Sequence, residues 1–281
     1  MNRPALIILA GVLLAGAAVF YLWERQGGQP AEPVPAASKL EPSAPAVSSG
    51  PETPPIRHPV ESLPAEVPPQ APLPPLARSD ESVRPALMDW LGKDKVASFL
   101  QLDDFVRHTV ATVDNLGRSH AAPRLWPVNP APGRFSVVQR GDALVVAPGN
   151  TERYAAFVSF VEGVDTGRAV SLYKRWYPWF QQAYEELGYP GRYFNDRAVE
   201  VIDQLIAAPV PVAPIELKLT EVKGPIPSTT PWLRYEFADP SLEALSAGQK
   251  MMIRLGPDQQ QRMKLKLVEL RSKLTATTAA R

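Results

Sequence analysis

The stretch "YKRWYPWFQQAYEELGYPGRYFNDRAVEVIDQLI", residues 173–206, decides the fold, because it encodes two helices and the turn that joins them. Apolar residues recur in its first half at spacings of three and four, which is the pattern of one apolar helix face. They are Tyr173, Trp176, Tyr177, Phe180, Tyr184 and Leu187. Pro178 interrupts this pattern and should kink the helix or begin a second one.

Residues 188–197, "GYPGRYFNDR", predict a tight joint between the two helices. The glycine at the start suits the left-handed residue that closes many helices. Pro190 followed by Gly191 suits the centre of a type II turn. Asn195 is then expected to cap the second helix, with its side chain accepting the backbone N–H of Ala198. A joint therefore accounts for nearly every residue of the stretch.

The same region contains the candidate binding residues. Polar side chains at the joint could line a pocket, and Trp179 is the ring most expected to be exposed, where it could stack on a sugar. Asp196, Glu200 and Asp203 share one helix face, and paired acids can perform acid–base catalysis or bind Ca²⁺. The candidates are Trp179, Arg192, Tyr193, Asn195, Asp196 and Glu200. We favour core packing for the rings and a solvated face for the acids, and we assign no catalytic residue.

Further helices flank this centre. The segments "SDESVRPALMDWLG" and "DDFVRHTVATVDNLG" have helix periodicity and end at Gly92 and Gly117. Asn150 and Asp165 are expected to cap the next two helices. A last helix is predicted over residues 258–275, and we expect its apolar seam to pack on its own domain. A membrane surface or a partner helix is the alternative for that seam.

Strand patterns predict a small antiparallel sheet. The segment "RFSVVQRGDALVVA" has the form of two short strands around a turn. Because an isolated hairpin is only marginally stable, it needs further strands. The segments "IELKLTEV" and "LRYEF" alternate apolar and polar residues and are expected to supply them. The fold class is therefore α+β, predominantly helical, in one domain.

The N-terminus predicts a membrane anchor. Residues 5–23 contain no charged residue, and a helix of that length rises about 28 Å, enough for a bilayer core. A cleaved signal peptide, cut near Ala17, is the alternative. Arg3 favours a cytoplasmic N-terminus, and everything beyond the anchor then lies outside the cytoplasm.

A proline-rich segment separates the anchor from the domain. Fifteen of the chain's 32 prolines fall between Pro30 and Pro75, a composition that disfavours a packed core. Pro72 and Pro75 also have the PxxP spacing of ligands for aromatic grooves. We therefore expect this division of the chain: cytoplasmic residues 1–4, a transmembrane anchor at 5–23, a disordered linker at 24–78, a globular domain at 79–275 and a tail at 276–281.

Composition excludes several kinds of site. The net charge is only +1, so the chain has no overall positive electrostatic potential that would favour binding to nucleic acid. Cysteine is absent, and His58, His108 and His120 are isolated in the sequence, which makes a zinc site improbable. No glycine-rich phosphate loop and no G-x-S-x-G elbow is present. We expect no cofactor and no metal.

Three strings carry a family resemblance: "ATVDNL", "YPWFQQAYEELGYPGRYFNDRAVEVID" and "FADPSLEALSAGQKMMIRLGP". With them, residues 79–274 resemble the bacterial family catalogued as "domain of unknown function 3014". The resemblance implies a membrane-anchored envelope protein, and it supplies no catalytic or binding residue.

These patterns together predict a single-pass protein of the bacterial inner membrane with a periplasmic domain. We expect that domain to be an interaction or scaffold module for an envelope protein partner. An envelope hydrolase with an acidic and aromatic site near residues 188–203 is the alternative.

Overall fold

The computed structural model describes residues 54–63, 72–211, 214–220 and 234–276. The predicted anchor at residues 5–23 lies outside these ranges, as do residues 24–53 and 64–71 of the predicted linker and residues 277–281 of the tail. Within the described ranges, no helix is both long and apolar enough to span a bilayer. The described residues belong to one compact unit.

The described residues form a mostly helical domain with one sheet, which confirms the α+β prediction. The α-helices are α1 (Asp80–Leu91), α2 (Lys93–Phe99), α3 (Phe105–Leu116), α4 (Asn150–Glu162), α5 (Thr166–Glu186), α6 (Phe194–Ile206), α7 (Pro240–Glu243), α8 (Ala247–Arg254) and α9 (Pro257–Thr275). The strands are β1 (Val137–Arg140), β2 (Ala143–Val146), β3 (Glu216–Leu219) and β4 (Tyr235–Phe237). Short 3₁₀ turns lie at Val60–Ser62, Leu76–Arg78 and Pro123–Leu125.

The sheet has the predicted members. Its strand order is β1-β2-β3-β4, and every neighbouring pair is antiparallel. Leu217 of β3 pairs with Leu144 on one side and with Phe237 on the other. Leu217 and Phe237 are buried together with Ile253 of α8. The alternation in the sequence thus identifies the face that packs on the helices.

Helix α5 supplies much of the main core. Its Trp176, Tyr177, Phe180 and Tyr184 are all buried, so the prediction of core packing for the rings is confirmed. The helix is continuous through Pro178, and the expected second helix does not form. Pro178 is exposed, while the rings of Tyr177 before it and Trp179 after it are buried. Their packing holds the helix together across the proline.

The predicted helix ends are only partly correct. Helices α1 and α3 end at Gly92 and Gly117 as predicted, and the Asp165 carboxylate accepts the backbone N–H of Arg168, 2.6 Å away. Asn150 does not cap α4, because its side chain is buried and bonds elsewhere. Its amide bonds both the N–H and the carbonyl of Ser136 and thereby ties α4 to the segment before β1.

Helix α9 packs on its own domain, as predicted, against α4, α5 and α6. Leu274 is the buried end of its seam, and Lys266 donates to the carbonyl of Val164 at 2.6 Å. Leu265 and Val268 face outward, with 63% and 50% of their surface exposed.

Residues 54–63 and 72–78, which we call the strap, belong to the domain, and the prediction of a disordered linker up to residue 78 is wrong for them. Val60, Leu63 and Leu76 are buried in the main core beside the rings of α5. Pro59 and Pro75 have the extended backbone that proline prefers. Because such a chain is already stiff, ordering it costs little entropy. The aliphatic residues between the prolines can therefore be buried.

The strap should contribute measurably to stability. We expect Leu63→Ala in the full chain to lower the free energy of unfolding by about 2–5 kcal/mol, because it leaves a cavity in the core. Urea unfolding followed by circular dichroism measures the change. The matched control is Ile56→Ala, since Ile56 lies in the same segment but is 53% exposed, and its change should stay within about 0.5 kcal/mol. Equal effects of both variants would contradict the placement of the strap in the core.

Candidate functional site

The joint between α5 and α6 has the predicted turn. Gly188 follows α5 with a φ of 107°. The N–H of Arg192 bonds the carbonyl of Tyr189 at 3.2 Å. Gly191 has a φ of 72°, a value that only glycine adopts without strain at the third position of such a turn.

Asn195 does not cap α6, and this prediction is wrong. The helix begins at Phe194, so Asn195 lies inside its first turn, where its side chain is fully buried. Its amide nitrogen donates to the carbonyls of His58 and Leu274, at 2.8 and 3.4 Å. Its amide oxygen accepts the hydroxyl of Tyr173 at 3.1 Å. One side chain therefore connects the strap, α5, α6 and the end of α9.

Asp196 and Tyr193 hold the backbone of the strap. The two carboxylate oxygens of Asp196 accept the N–H groups of Arg57 and His58, at 2.9 and 2.8 Å. The Tyr193 hydroxyl accepts the N–H of Val60 at 2.8 Å. These are side-chain contacts to main-chain groups, so they recognise an extended backbone and do not depend on the strap's own side chains.

Helix α5 contacts the strap in both of its ranges, residues 54–63 and residues 72–78. Lys174 donates to the carbonyls of Glu61 and Leu63, at 3.3 and 2.8 Å. The indole of Trp179 donates to the carbonyl of Pro74 at 2.8 Å, next to the PxxP spacing noted in the sequence. Trp179 is only 3% exposed. The prediction that its ring is exposed is therefore wrong, because the strap covers it.

The remaining candidates do not converge with these residues. Arg192 is exposed, and its carbonyl accepts the side chain of Gln181 at 2.7 Å. Glu200 is exposed and pairs with Arg197 at 3.1 Å, while Asp203 pairs with Arg271. The acids of α6 thus face three different partners. Among the described residues, no group of three or more acidic or histidine side chains is placed to hold a metal.

The tyrosines at the joint are neutral hydrogen-bonding groups. Burial raises the pKa of Tyr173 well above its ordinary value, with nearby Tyr193 and Asp196 adding to the effect. Burial likewise raises the pKa of Tyr177 and of Tyr193. Tyr177 donates to Gln181 at 3.0 Å and accepts the N–H of Asn195 at 3.2 Å. All three hydroxyls keep their protons at neutral pH, so they organise the joint rather than supply a base.

A buried ion pair behind the joint was not predicted. Asp114 of α3 is 3% exposed, and its carboxylate bonds Arg197 at 3.0 Å, Arg118 at 2.9 Å and the Tyr189 hydroxyl at 3.2 Å. A Cβ on Gly117 would lie 2.7 Å from the Arg197 guanidinium, so glycine leaves the space that this side chain occupies.

A pattern in the sequence of α3 could have predicted that Asp114 is buried. Val106, Val110 and Asp114 follow one another at intervals of four and therefore lie on one face of α3. The two valines mark that face as buried. A buried carboxylate requires a positive partner, although the sequence does not identify which arginine supplies it.

A comparison with protein families identifies the family of the chain. A family model described as "Protein of unknown function (DUF3014)" matches residues 105–271, which is more than half of the chain. The chain belongs to the DUF3014 family. The DUF3014 match runs from the start of α3 into α9, so it includes the joint and the Asp114–Arg197 pair and begins after the strap. No curated protein and no solved structure matches the chain.

The Asp114–Arg197 pair should be a main source of stability in this DUF3014 domain. We expect Asp114→Asn to lower the free energy of unfolding by about 3 kcal/mol, because it leaves the largely buried Arg197 guanidinium with only the half-exposed Glu200 as a counter-charge. Chemical denaturation of both proteins measures the difference. The control is Asp103→Asn, because Asp103 forms an ion pair with Arg84 but its side chain is 94% exposed, and that variant should unfold nearly as the parent does. An Asp114 variant as stable as its control would contradict the assignment.

Proposed function

We propose that the chain is a single-pass protein of the bacterial inner membrane whose domain acts in the periplasm as an interaction or scaffold module. The anchor is residues 5–23, and residues 24–53 form the tether that remains once the strap is counted with the domain. At about 3.1 Å per residue, 30 residues span at most on the order of 90 Å. The domain would then find its partner within that distance of the membrane.

The binding of the strap to the joint is the observation that supports this proposal. The joint holds Arg57, His58 and Val60 by their backbone N–H groups, and three aliphatic strap residues lie in the core. The chain arriving from the N-terminal side is thus fixed to the domain at a defined place. Such an attachment suits a module whose position relative to its anchor matters, because effective concentration depends on tether length.

The location rests on the sequence of the anchor. Residues 5–23 are uncharged, and Arg3 precedes them, which favours a cytoplasmic N-terminus under the positive-inside rule. The implied envelope character of the family agrees with this orientation.

The structure offers less support for a hydrolase at residues 188–203. A carboxylate pair for glycoside or general acid–base chemistry has to face a common space. Asp196 faces the strap, Glu200 faces Arg197 and Asp203 faces Arg271. The hydrolase therefore lacks a specific observation in its favour, and the interaction module is the better proposal.

Tether length is the property that tests the proposal. We expect deletion of residues 30–49, with anchor and strap intact, to impair complementation of a deletion phenotype. Replacing the same residues by a glycine–serine sequence of equal length should restore it, because length matters and sequence does not. The chain without residues 1–50 should fold, since strap and core are retained, yet fail to complement. Blotting must show matched protein levels.

Two results would contradict the proposal. Full rescue by the released domain would mean that attachment is not required and would favour an enzyme of a diffusible substrate. Protease added to spheroplasts should digest the domain of the intact protein while a cytoplasmic control survives, and protection of the domain would overturn the periplasmic location.

A further inference from the structure

A groove of about 220 Å³ lies between α1 and α5, away from the joint. Its lining from α1 is Ser82, Ala86 and Asp89, and its lining from α5 is Arg168, Leu172, Arg175 and Trp176. Each set recurs at intervals of three or four, so each is one stripe along its helix. The groove therefore runs along the two helices for about 10 Å, the rise of seven helical residues.

The two ends of the groove differ. At one end Arg168 pairs with Asp89 at 3.1 Å and lies over the ring of Trp90 at 5.7 Å. These residues belong to the late part of α1 and the early part of α5, whereas Ser82 and Arg175 line the groove from the early part of α1 and further along α5. Neither the Ser82 hydroxyl nor the Arg175 guanidinium has a bonding partner among the described residues. One end of the groove is thus already neutralised, while the other offers free donors.

The floor between these ends is apolar. Ala86 and Leu172 are half-buried and pack against the main core, and Trp176 is 4% exposed. An arginine fork matches a carboxylate in two parallel hydrogen bonds, and an apolar floor favours a hydrocarbon side chain. The groove therefore combines one anion-binding end with one hydrophobic surface.

We propose that the α1–α5 groove binds a short extended segment of a partner protein in which a carboxylate and an apolar side chain are two residues apart, so that both point into the groove. The carboxylate would bond Arg175 and Ser82, and the apolar side chain would lie on Leu172 and Trp176. A length of 10 Å fits about three extended residues, and the volume is below that of typical pockets for larger small molecules. The identity of the occupant rests on the proposed interaction role, whereas the groove's chemistry does not.

Fluorescence anisotropy on the purified full chain tests this. The probe is a labelled, amidated tripeptide of leucine, alanine and aspartate, whose first and third side chains share a face when it is extended, and its matched control carries asparagine in place of aspartate. We expect the aspartate peptide to bind and the asparagine peptide to bind at least about tenfold more weakly. Arg175→Gln should weaken the aspartate peptide by a similar factor, because a charge-assisted bond is lost. Ser82→Ala should weaken it less.

Arg192→Gln is the control variant, because Arg192 is an exposed arginine at the joint, and binding should be unchanged. Thermal melts must show that the variants are folded. Equal binding of both peptides, loss of binding in Arg192→Gln alone, or no binding at 1 mM probe would each overturn the proposal. If inorganic phosphate binds at Arg175 and the peptide does not, the occupant of the groove is a small anion and the peptide proposal is wrong. None of these outcomes bears on tether-dependent complementation, so the proposed function is tested separately.

Discussion

The placement of the proline-rich strap depends on pairing its backbone, because Val60, Leu63 and Leu76 of the strap are buried in the core of the domain. Proline removes backbone donors, so such a segment cannot be satisfied by joining a sheet, and buried polar groups without partners are costly. Side chains of the joint between α5 and α6 supply the hydrogen-bond partners that the backbone of the strap needs. Asp196 and Tyr193 accept strap N–H groups, while Asn195 donates to a strap carbonyl. Once these bonds form, the aliphatic residues of the strap can enter the core.

The binding of the strap changes the interpretation of the polar residues at the joint. In the sequence they resemble a pocket, since arginine, tyrosine, asparagine and aspartate are gathered in ten positions. In the structure most of them are occupied by the chain itself, and the buried Asp114–Arg197 pair fixes α6 on α3 behind them. Two donors without a partner among the described residues, Ser82 and Arg175, lie on the groove between α1 and α5, and the binding proposal therefore concerns that groove.

Features set by local sequence were predictable, and features set by distant contacts were not. Apolar–polar alternation identified β3 and β4, the pattern of two short strands around a turn identified β1 and β2, and Pro190 with Gly191 identified the turn of the joint, because each depends on neighbouring residues. Asn195 also looked like a cap on local grounds, yet its partners His58 and Leu274 are 137 and 79 residues away. Trp179 was expected to be exposed because no local pattern reveals that a segment 105 residues earlier covers it. Four of the six candidate residues contact the strap, whereas Arg192 and Glu200 do not, and no local pattern predicted the strap as their partner.

Amide hydrogen exchange in the full chain tests the central claim, that the joint clamps the backbone of the strap. The account predicts slow exchange at Arg57, His58 and Val60, whose N–H groups bond Asp196 and Tyr193. Asp196→Ala should accelerate exchange at Arg57 and His58 by at least about tenfold, while the amides in the middle of α5 remain protected. Exchange of these three strap amides at the rate of an unstructured chain in the unaltered protein would contradict the account.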